Sequence, residues 1–321
     1  MKRKNKLIIY IVLLLFALIP MFVYAYSNRV ILGGKNIGIE VKSKGVLVVG
    51  FYEVLNESPG KDAGLIKGDI ITTINGKKVD ETKDITSFNT KSLNITYIRN
   101  NVTHNTVLNT IKDSDGIYKT GLYVKDSIIG IGTLTFIDPE TNKFGALGHS
   151  ISSSDTGKIF DISTGTIFKT SVTGINRSER NSPGEKNATY DYYTKYGTIS
   201  KNVKSGIFGE YTGSYEEKYI DINEKEDIHT GDAYIYTVIK GNEPEKFKID
   251  IISVNDTQNG KDILYEVVDE KLLKISNGIV QGMSGSPIIQ DDKLIGAVNY
   301  VIVDDPHKGY GILISNMLKE I

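Results

Sequence analysis

The chain has 321 residues, 40% of them hydrophobic, with 38 basic and 39 acidic side chains and no cysteine. That length allows roughly two domains, and the missing cysteines exclude disulfides, thiolate metal sites and a cysteine nucleophile. Four scattered histidines with no His-Glu-x-x-His pattern give a metallopeptidase no support, so neither a metal nor another cofactor is expected.

Lys2, Arg3, Lys4 and Lys6 precede an almost wholly apolar run from Leu7 to Tyr26, long enough to cross a bilayer as a helix. Residues 1–27 are therefore expected to be a cytoplasmic basic leader followed by a transmembrane anchor, with the remaining chain on the extracytoplasmic side, because positive charge stays inside. Val23-Tyr24-Ala25 suits a signal peptidase, but the apolar run is long for a signal-peptide core, which favours an uncleaved anchor. Without the leader the balance is 34 basic against 39 acidic residues, and no nucleic-acid surface is implied.

From 33 to 112 short alternating runs appear at Gly45 to Phe51, Asp69 to Ile74, Leu93 to Arg99 and Val102 to Leu108, with Asn75-Gly76 marking a tight hairpin. Ser58-Pro59, Ala63-Gly64-Leu65, Gly68-Asp69-Ile70-Ile71 and Ile74-Asn75-Gly76, in that order, resemble the central signature of PDZ domains. The resemblance implies a small α+β domain over 33–112 that captures an extended peptide as an added strand and holds its carboxylate on the backbone amides of a glycine-containing loop. That loop is expected at Gly34, Asn36, Ile37, Gly38 and Ile39. Asp80 to Phe88 is expected to be the flanking helix, with Ile85 and Phe88 on one face. The polar, turn-prone Lys112-Asp113-Ser114-Asp115-Gly116 places a linker at 113–119.

From 120 to 321 the chain has many glycines, short strand-like runs and few helical periods, which favours an all-β domain of barrel type. Ile128 to Ile137 reads as a strand, Asp138 to Asn142 as a turn, and Phe144 to Leu147 leads into His149 within Gly-Ala-Leu-Gly-His-Ser. Residues 282 to 287 read Gly-Met-Ser-Gly-Ser-Pro, followed by an apolar run, a turn at Gln290 to Lys293 and a second apolar run at Leu294 to Val298, a hairpin pattern. Ser284 and His149 thus both fall at strand ends, where a serine nucleophile and its base can meet. Gly282 and Gly285 let the chain turn tightly enough for the amides of Gly282 and Ser284 to face a developing oxyanion. The nucleophile elbow of α/β-hydrolases needs glycine two residues after the serine, where this chain has Ser286. Tyr190, Tyr192, Tyr193 and Tyr196 are expected to pack an edge strand rather than line a substrate groove, and His104, His229 and His307 to be surface residues.

The basic leader and apolar run, the PDZ signature, Gly-Leu-Tyr-Val-Lys-Asp-Ser from 121, Gly-Ile-Gly-Thr-Leu-Thr from 130, Gly-Ala-Leu-Gly-His from 145 and Gly-Ile-Val-Gln-Gly-Met-Ser-Gly-Ser-Pro-Ile-Ile from 278 together resemble the stage IV sporulation protein B peptidase family. The resemblance implies a mainly β protein: a transmembrane helix, a PDZ domain, then a chymotrypsin-like double β-barrel serine peptidase. It implies an enzyme on the outer side of the forespore membrane that cleaves a membrane-tethered regulator of an intramembrane protease, so that a mother-cell sigma factor is released, and that also cleaves itself near its N-terminus. Its implied site is Ser284 as nucleophile, His149 as base and Asp269 as third member. Asp269 stands only 15 residues before Ser284, whereas the orienting acid of a two-barrel enzyme usually lies far upstream, so Asp155 is its alternative. The rival reading is a catalytically inactive PDZ adaptor that binds and positions a membrane partner; the intact Ser284, His149 and flanking glycines favour the enzyme.

Overall fold

The computed structural model describes residues 28–223, 225–257 and 260–321. The expected leader and anchor at 1–27 lie outside them, and no helix of the described residues is long and apolar enough to cross a membrane. The described chain is mainly β. Strand β1 (Arg29–Leu32) is followed by the long β2 (Asn36–Phe51), a helical turn α1 (Pro59–Asp62), β3 (Ile70–Ile74), β4 (Lys77–Lys78), α2 (Thr82–Thr86), β5 (Ser92–Arg99), β6 (Val102–Asn109) and the small ribbon β7 (Ile111–Lys112) and β8 (Tyr118–Lys119). A second long strand, β9 (Leu122–Ile137), leads to β10 (Lys143–Ala146), β11 (Ile162–Asn176), β12 (Glu185–Val203), β13 (Gly206–Tyr211) and β14 (Tyr219–Asp221). The last third contains β15 (Gly231–Thr237), β16 (Glu245–Val254), β17 (Ile263–Val267), α3 (Glu270–Ser276), β18 (Pro287–Gln290), β19 (Lys293–Ile302), β20 (Asp305–Leu313) and α4 (Ile314–Leu318).

Two rings of antiparallel strands result. In the first, β2 pairs β9, β9 pairs β10, and β13, β12 and β11 carry the ladder back to β2. The second is a closed barrel in the order β15, β16, β17, β20, β19, β18. Each ring has its own apolar filling, Ile37, Val41, Phe144 and Ile167 in the first and Ile235, Phe247, Tyr265 and Ile288 in the second. A further cluster joins Phe136 and Phe208 of the first ring to Leu294 and Ile312 of the second and to Met317 of α4. Each such aliphatic or aromatic side chain contributes about 1.5–3 kcal/mol through burial, so the rings are packed together rather than strung on a linker.

The PDZ unit is inserted into the first ring. β2 pairs β9 from Asn36↔Thr133 to Lys42↔Ser127, the register shifts, and pairing resumes from Leu47↔Lys125 to Phe51↔Leu122. Along its other edge β2 pairs β11 in the ring and then, at Val46 and Leu47, β3 of the PDZ unit. Both strands therefore run unbroken from one unit into the other. Gly45 sits where β2 passes β3: a Cβ there would lie 2.2 Å from the Ile71 carbonyl oxygen. The PDZ core gathers Val46, Val48, Leu65, Ile71, Ile74, Ile85 and Leu93, and the buried Asp69 forms a two-pronged pair with Arg99, 2.7 Å at each prong.

The expected succession of a PDZ domain at 33–112, a linker at 113–119 and a peptidase domain at 120–321 is thus corrected. Residues 36 to 43 are ring wall, and the supposed linker is a turn and the small β7–β8 ribbon. The local turn chemistry holds: Asn75-Gly76 and Asp291-Asp292 both take the paired left-handed conformation that a two-residue hairpin demands.

Candidate active site

The serine loop is the stretch between α3 and β18. Gly282 and Gly285 adopt φ of +93° and +89°, a region costly for side-chain-bearing residues. At Gly285 a Cβ would also lie 2.1 Å from the Thr133 carbonyl oxygen and 2.5 Å from the Leu147 nitrogen, so the loop sits directly on the strand end that carries the histidine. On the histidine side, Leu147 and Gly148 are both left-handed, φ +68° and +72°. A leucine so held stores roughly 1–3 kcal/mol of strain; its side chain, anchored in the first ring's core, keeps it there.

Ser284 and His149 each contact the same short piece of β19, at adjacent residues. The Ser284 hydroxyl donates to the Asn299 carbonyl at 3.2 Å, and the His149 ring stacks on Tyr300 with centroids 5.5 Å apart and planes 20° apart. The His149 Nδ1 lies 3.0 Å from the Ser150 carbonyl. A carbonyl only accepts, so Nδ1 carries the proton and Nε2 is the free base. Burial holds the imidazole below its ordinary pKa of 6.5, against the opposing pull of the Ser150 carbonyl.

The loop's amides divide into two sets. Those of Met283, Gly285 and Ser286 donate to Val280, Val298 and Met283 carbonyls, whereas those of Gly282 and Ser284 have no acceptor among the described residues. The reason is geometric. The Gln281 carbonyl accepts from the Lys186 amide at 3.0 Å, and the Met283 carbonyl from the Ser286 amide at 2.9 Å. In a trans peptide plane the N–H points opposite the C=O, so tying down these carbonyls leaves the Gly282 and Ser284 amides presented together with the nucleophile. That is the donor pair expected of an oxyanion hole.

The expected third member does not join them. Asp269 is the N-cap of α3: one carboxylate oxygen accepts from the Leu272 amide at 2.9 Å and the other from the Lys248 amide at 3.2 Å. Asp155 pairs with Lys125 at 2.6 Å. Neither carboxylate bonds His149 among the described residues, and the Ser150 carbonyl takes the orienting place. No three His, Asp or Glu side chains gather as a metal-binding group among the described residues.

The expected carboxylate loop is also corrected. Asn36, Ile37 and Ile39 are buried, and Ile37, Gly38 and Ile39 are paired with β9 on one edge and β11 on the other. Gly34 donates to Leu134, and a Cβ on Gly38 would lie 2.1 Å from the Phe168 ring. With both edges occupied, no peptide strand can be added there. The strand beside α2 is the first part of β9, where the Thr82 amide donates to Asp126 at 2.7 Å; Leu122 to Lys125 pair β2 on one edge and no strand on the other among the described residues. The helix itself, Thr82–Thr86, carries a capping box of Glu81 and Asp84 and buries Ile85, with Phe88 packed beside it.

Of the tyrosines, Tyr190 and Tyr192 pack on Phe168 and Tyr196 on Tyr211; the stretch of β12 that carries Tyr190 to Tyr193 pairs β11 on one edge only, β13 joining the other edge from Gly197 onward. His104 stacks on Tyr97, His229 meets Asp291 and His307 meets Asn277, all away from Ser284. Sequence reasoning missed the residues beneath the loop: Thr133 and Asn36 donate to the Gly282 carbonyl, Thr135 to that of Gly285, and Lys186 bonds Asn36 and Thr237.

A serine at a tight glycine-flanked turn against Asn299, a histidine stacked on the next residue of β19 and two amides without an acceptor among the described residues are the parts a serine peptidase needs. A family model described as SpoIVB peptidase S55 matches residues 116–318, and a PDZ domain model matches residues 50–88. The chain belongs to the SpoIVB peptidase S55 family, sporulation peptidases of the serine class. No curated protein matches it. Among solved structures it is similar to the PDZ domain of an SdrC-like protein from Listeria monocytogenes, at 22% identity over 26% of this chain and 90% of that one, with a TM-score of 0.22.

Proposed function

We propose that this chain is a membrane-anchored serine endopeptidase of chymotrypsin-like, two-barrel architecture, facing the space between the forespore membranes. It cleaves a membrane-tethered regulator of an intramembrane protease, and its own N-terminal region, and so triggers processing of a mother-cell sigma factor. The observation that best supports catalysis is the pair of Gly282 and Ser284 amides, without an acceptor among the described residues, beside a serine that contacts Asn299 while the histidine stacks on the next residue, Tyr300.

The chemistry follows from these groups. Rotation of the Ser284 hydroxyl away from the Asn299 carbonyl, between staggered wells, lets it donate to His149 Nε2. As the oxygen attacks a peptide carbonyl, the imidazole takes its proton and the two free amides receive the negative oxygen. The imidazolium, still donating to the Ser150 carbonyl, then protonates the leaving amine, and water repeats the sequence to free the acyl group. The PDZ unit captures a peptide tail as a strand along β9 beside α2, and sharing one membrane makes even a weak contact effective.

The test is to incubate the full-length chain in mild detergent with a serine-directed phosphonate. Labelling of the wild type and none of Ser284→Ala is expected. No labelling of the wild type under any activating condition would favour the inactive adaptor.

A further inference from the structure

Beneath the serine loop lies a buried lysine that meets no acid among the described residues. Lys186 is 4% exposed; its Nζ donates to Asn36 Oδ1 at 3.0 Å and to Thr237 Oγ1 at 2.9 Å. Burial without a counter-charge brings its pKa down to about 7. Lysine is rarely fully buried unless paired, so an unpaired one directly under a catalytic loop calls for a reason beyond packing.

The contacts supply one. The Lys186 amide holds the Gln281 carbonyl at 3.0 Å. Its stem is so close to Gly282 that a Cβ there would lie 3.2 Å from Lys186 Cβ and Cδ. Its amine fixes Asn36, whose Nδ2 donates to the Gly282 carbonyl at 3.2 Å and the Gly132 carbonyl at 2.9 Å. The Gly282 and Gly132 carbonyls only accept, so Nδ2 must face them, and the amine completes this arrangement by donating to Asn36 Oδ1. Through Thr237 the same amine reaches the second barrel, where the Ser286 hydroxyl donates to Thr237 at 2.8 Å. Three attachments therefore bear on the two peptide planes that bracket Gly282, one of which presents the Gly282 amide.

We propose that Lys186 is a positioning residue for the oxyanion hole, setting the orientation of the Gly282 amide through Asn36 while joining the two barrels at Thr237. This rests on the serine peptidase reading. Lys186 is predicted to act on the rate of the chemical step rather than on peptide binding, because the hole is used fully only as charge develops on the oxygen.

Two variants of the full-length chain test it, each judged against wild-type labelling by the phosphonate and cleavage of a peptide. Lys186→Met keeps the stem and removes the amine. Asn36→Asp keeps an acceptor for the lysine and removes the donor to Gly282. Both are expected to lower kcat by about 10- to 100-fold, near the loss of one oxyanion donor, with KM changed less than about threefold and the His149-controlled acid limb of the pH profile unmoved. Folded variants with wild-type kcat, or a loss carried by KM, overturn the assignment. Loss of the fold in both also overturns it, since the network would then serve barrel docking. Absence of label on the wild type instead refutes the peptidase reading itself, so the two failures are distinct.

Discussion

The amide of Thr133 donates to the carbonyl of Ser284 at 2.9 Å, so the proposed nucleophile, on a loop of the second barrel, is held by a strand of the first. The Thr133 carbonyl in turn accepts from the Leu147 amide, two residues before the histidine, at 3.3 Å. One residue of β9 thus sets the separation of base and nucleophile, and disturbing β9 should misalign them before it unfolds either barrel.

His149 should govern the acid limb of activity from below its ordinary pKa. Its neutral form is the base, and burial favours that form, so the kcat/KM profile should bend downward below pH 6.5 rather than at it. His149→Ala should abolish the limb together with nearly all turnover. A midpoint above 6.5 in a peptide-cleavage profile would contradict the half-buried, carbonyl-bonded imidazole.

Asp269→Asn should retain turnover within about tenfold, because Asp269 makes no bond to His149 among the described residues and asparagine still caps the helix, while the Lys248 amide loses its acceptor, a change felt in stability and not in turnover. Asp269→Ala should lose about 1 kcal/mol of stability through the missing cap. Were Asp269 the orienting acid, the asparagine variant would lose about 10⁴ in kcat at unchanged stability. Steady-state kinetics beside thermal melts separate the two outcomes.

Arg99→Met should leave the buried Asp69 carboxylate without its counter-charge, the Ile66 amide still donating to it, a loss of about 1–3 kcal/mol because the guanidinium is partly exposed. Since β2 and β9 continue from the PDZ unit into the first barrel, phosphonate labelling of Ser284 should slow at temperatures where the variant's PDZ unit opens. Unchanged labelling over that range would mean that the register shift near Ser43 and Gly45 uncouples the units.

Lys186 should also leave a mark on stability against pH. Its folded pKa, about 7, lies below the unfolded value of about 10.4. Between these limits the unfolded chain binds the extra proton, so this group makes stability rise with pH from about 7 to about 10 and contributes no slope below 7. The groups its amine meets, Asn36 and Thr237, are neutral. Denaturant melts of wild type and Lys186→Met across that window should therefore differ by a slope approaching one proton.

The candidate serine and histidine stand out in the sequence because the chemistry proposed for them demands a local pattern: a serine between glycines before Pro287, and a histidine at a strand end. The hairpin after Pro287 and the Asn75-Gly76 turn were legible for the same reason, being set by neighbours in sequence. Asn36 to Ile39 misled because a glycine beside isoleucines suits a carboxylate loop and a barrel strand alike; only pairing with β9 and β11, over 90 residues away, decides between them. Lys186 gave no local signal, since its burial depends on Thr237 and Asn36 arriving from other strands. Asp269 carries an acid's chemistry, but its place before a helix turned both oxygens to backbone amides.

The pairing of β1 has a consequence for self-processing. A peptidase cleaves an extended segment lying free in its cleft, and Arg29 to Ile31 are already bonded to β14, with Ile31 and Leu32 also bonded to β9, while Asn36 onward is ring wall. Self-cleavage that spares the fold is therefore confined to the chain upstream of Arg29. A cut there removes no barrel strand, so under the function proposed above it would free a complete catalytic body from the proposed anchor instead of switching it off.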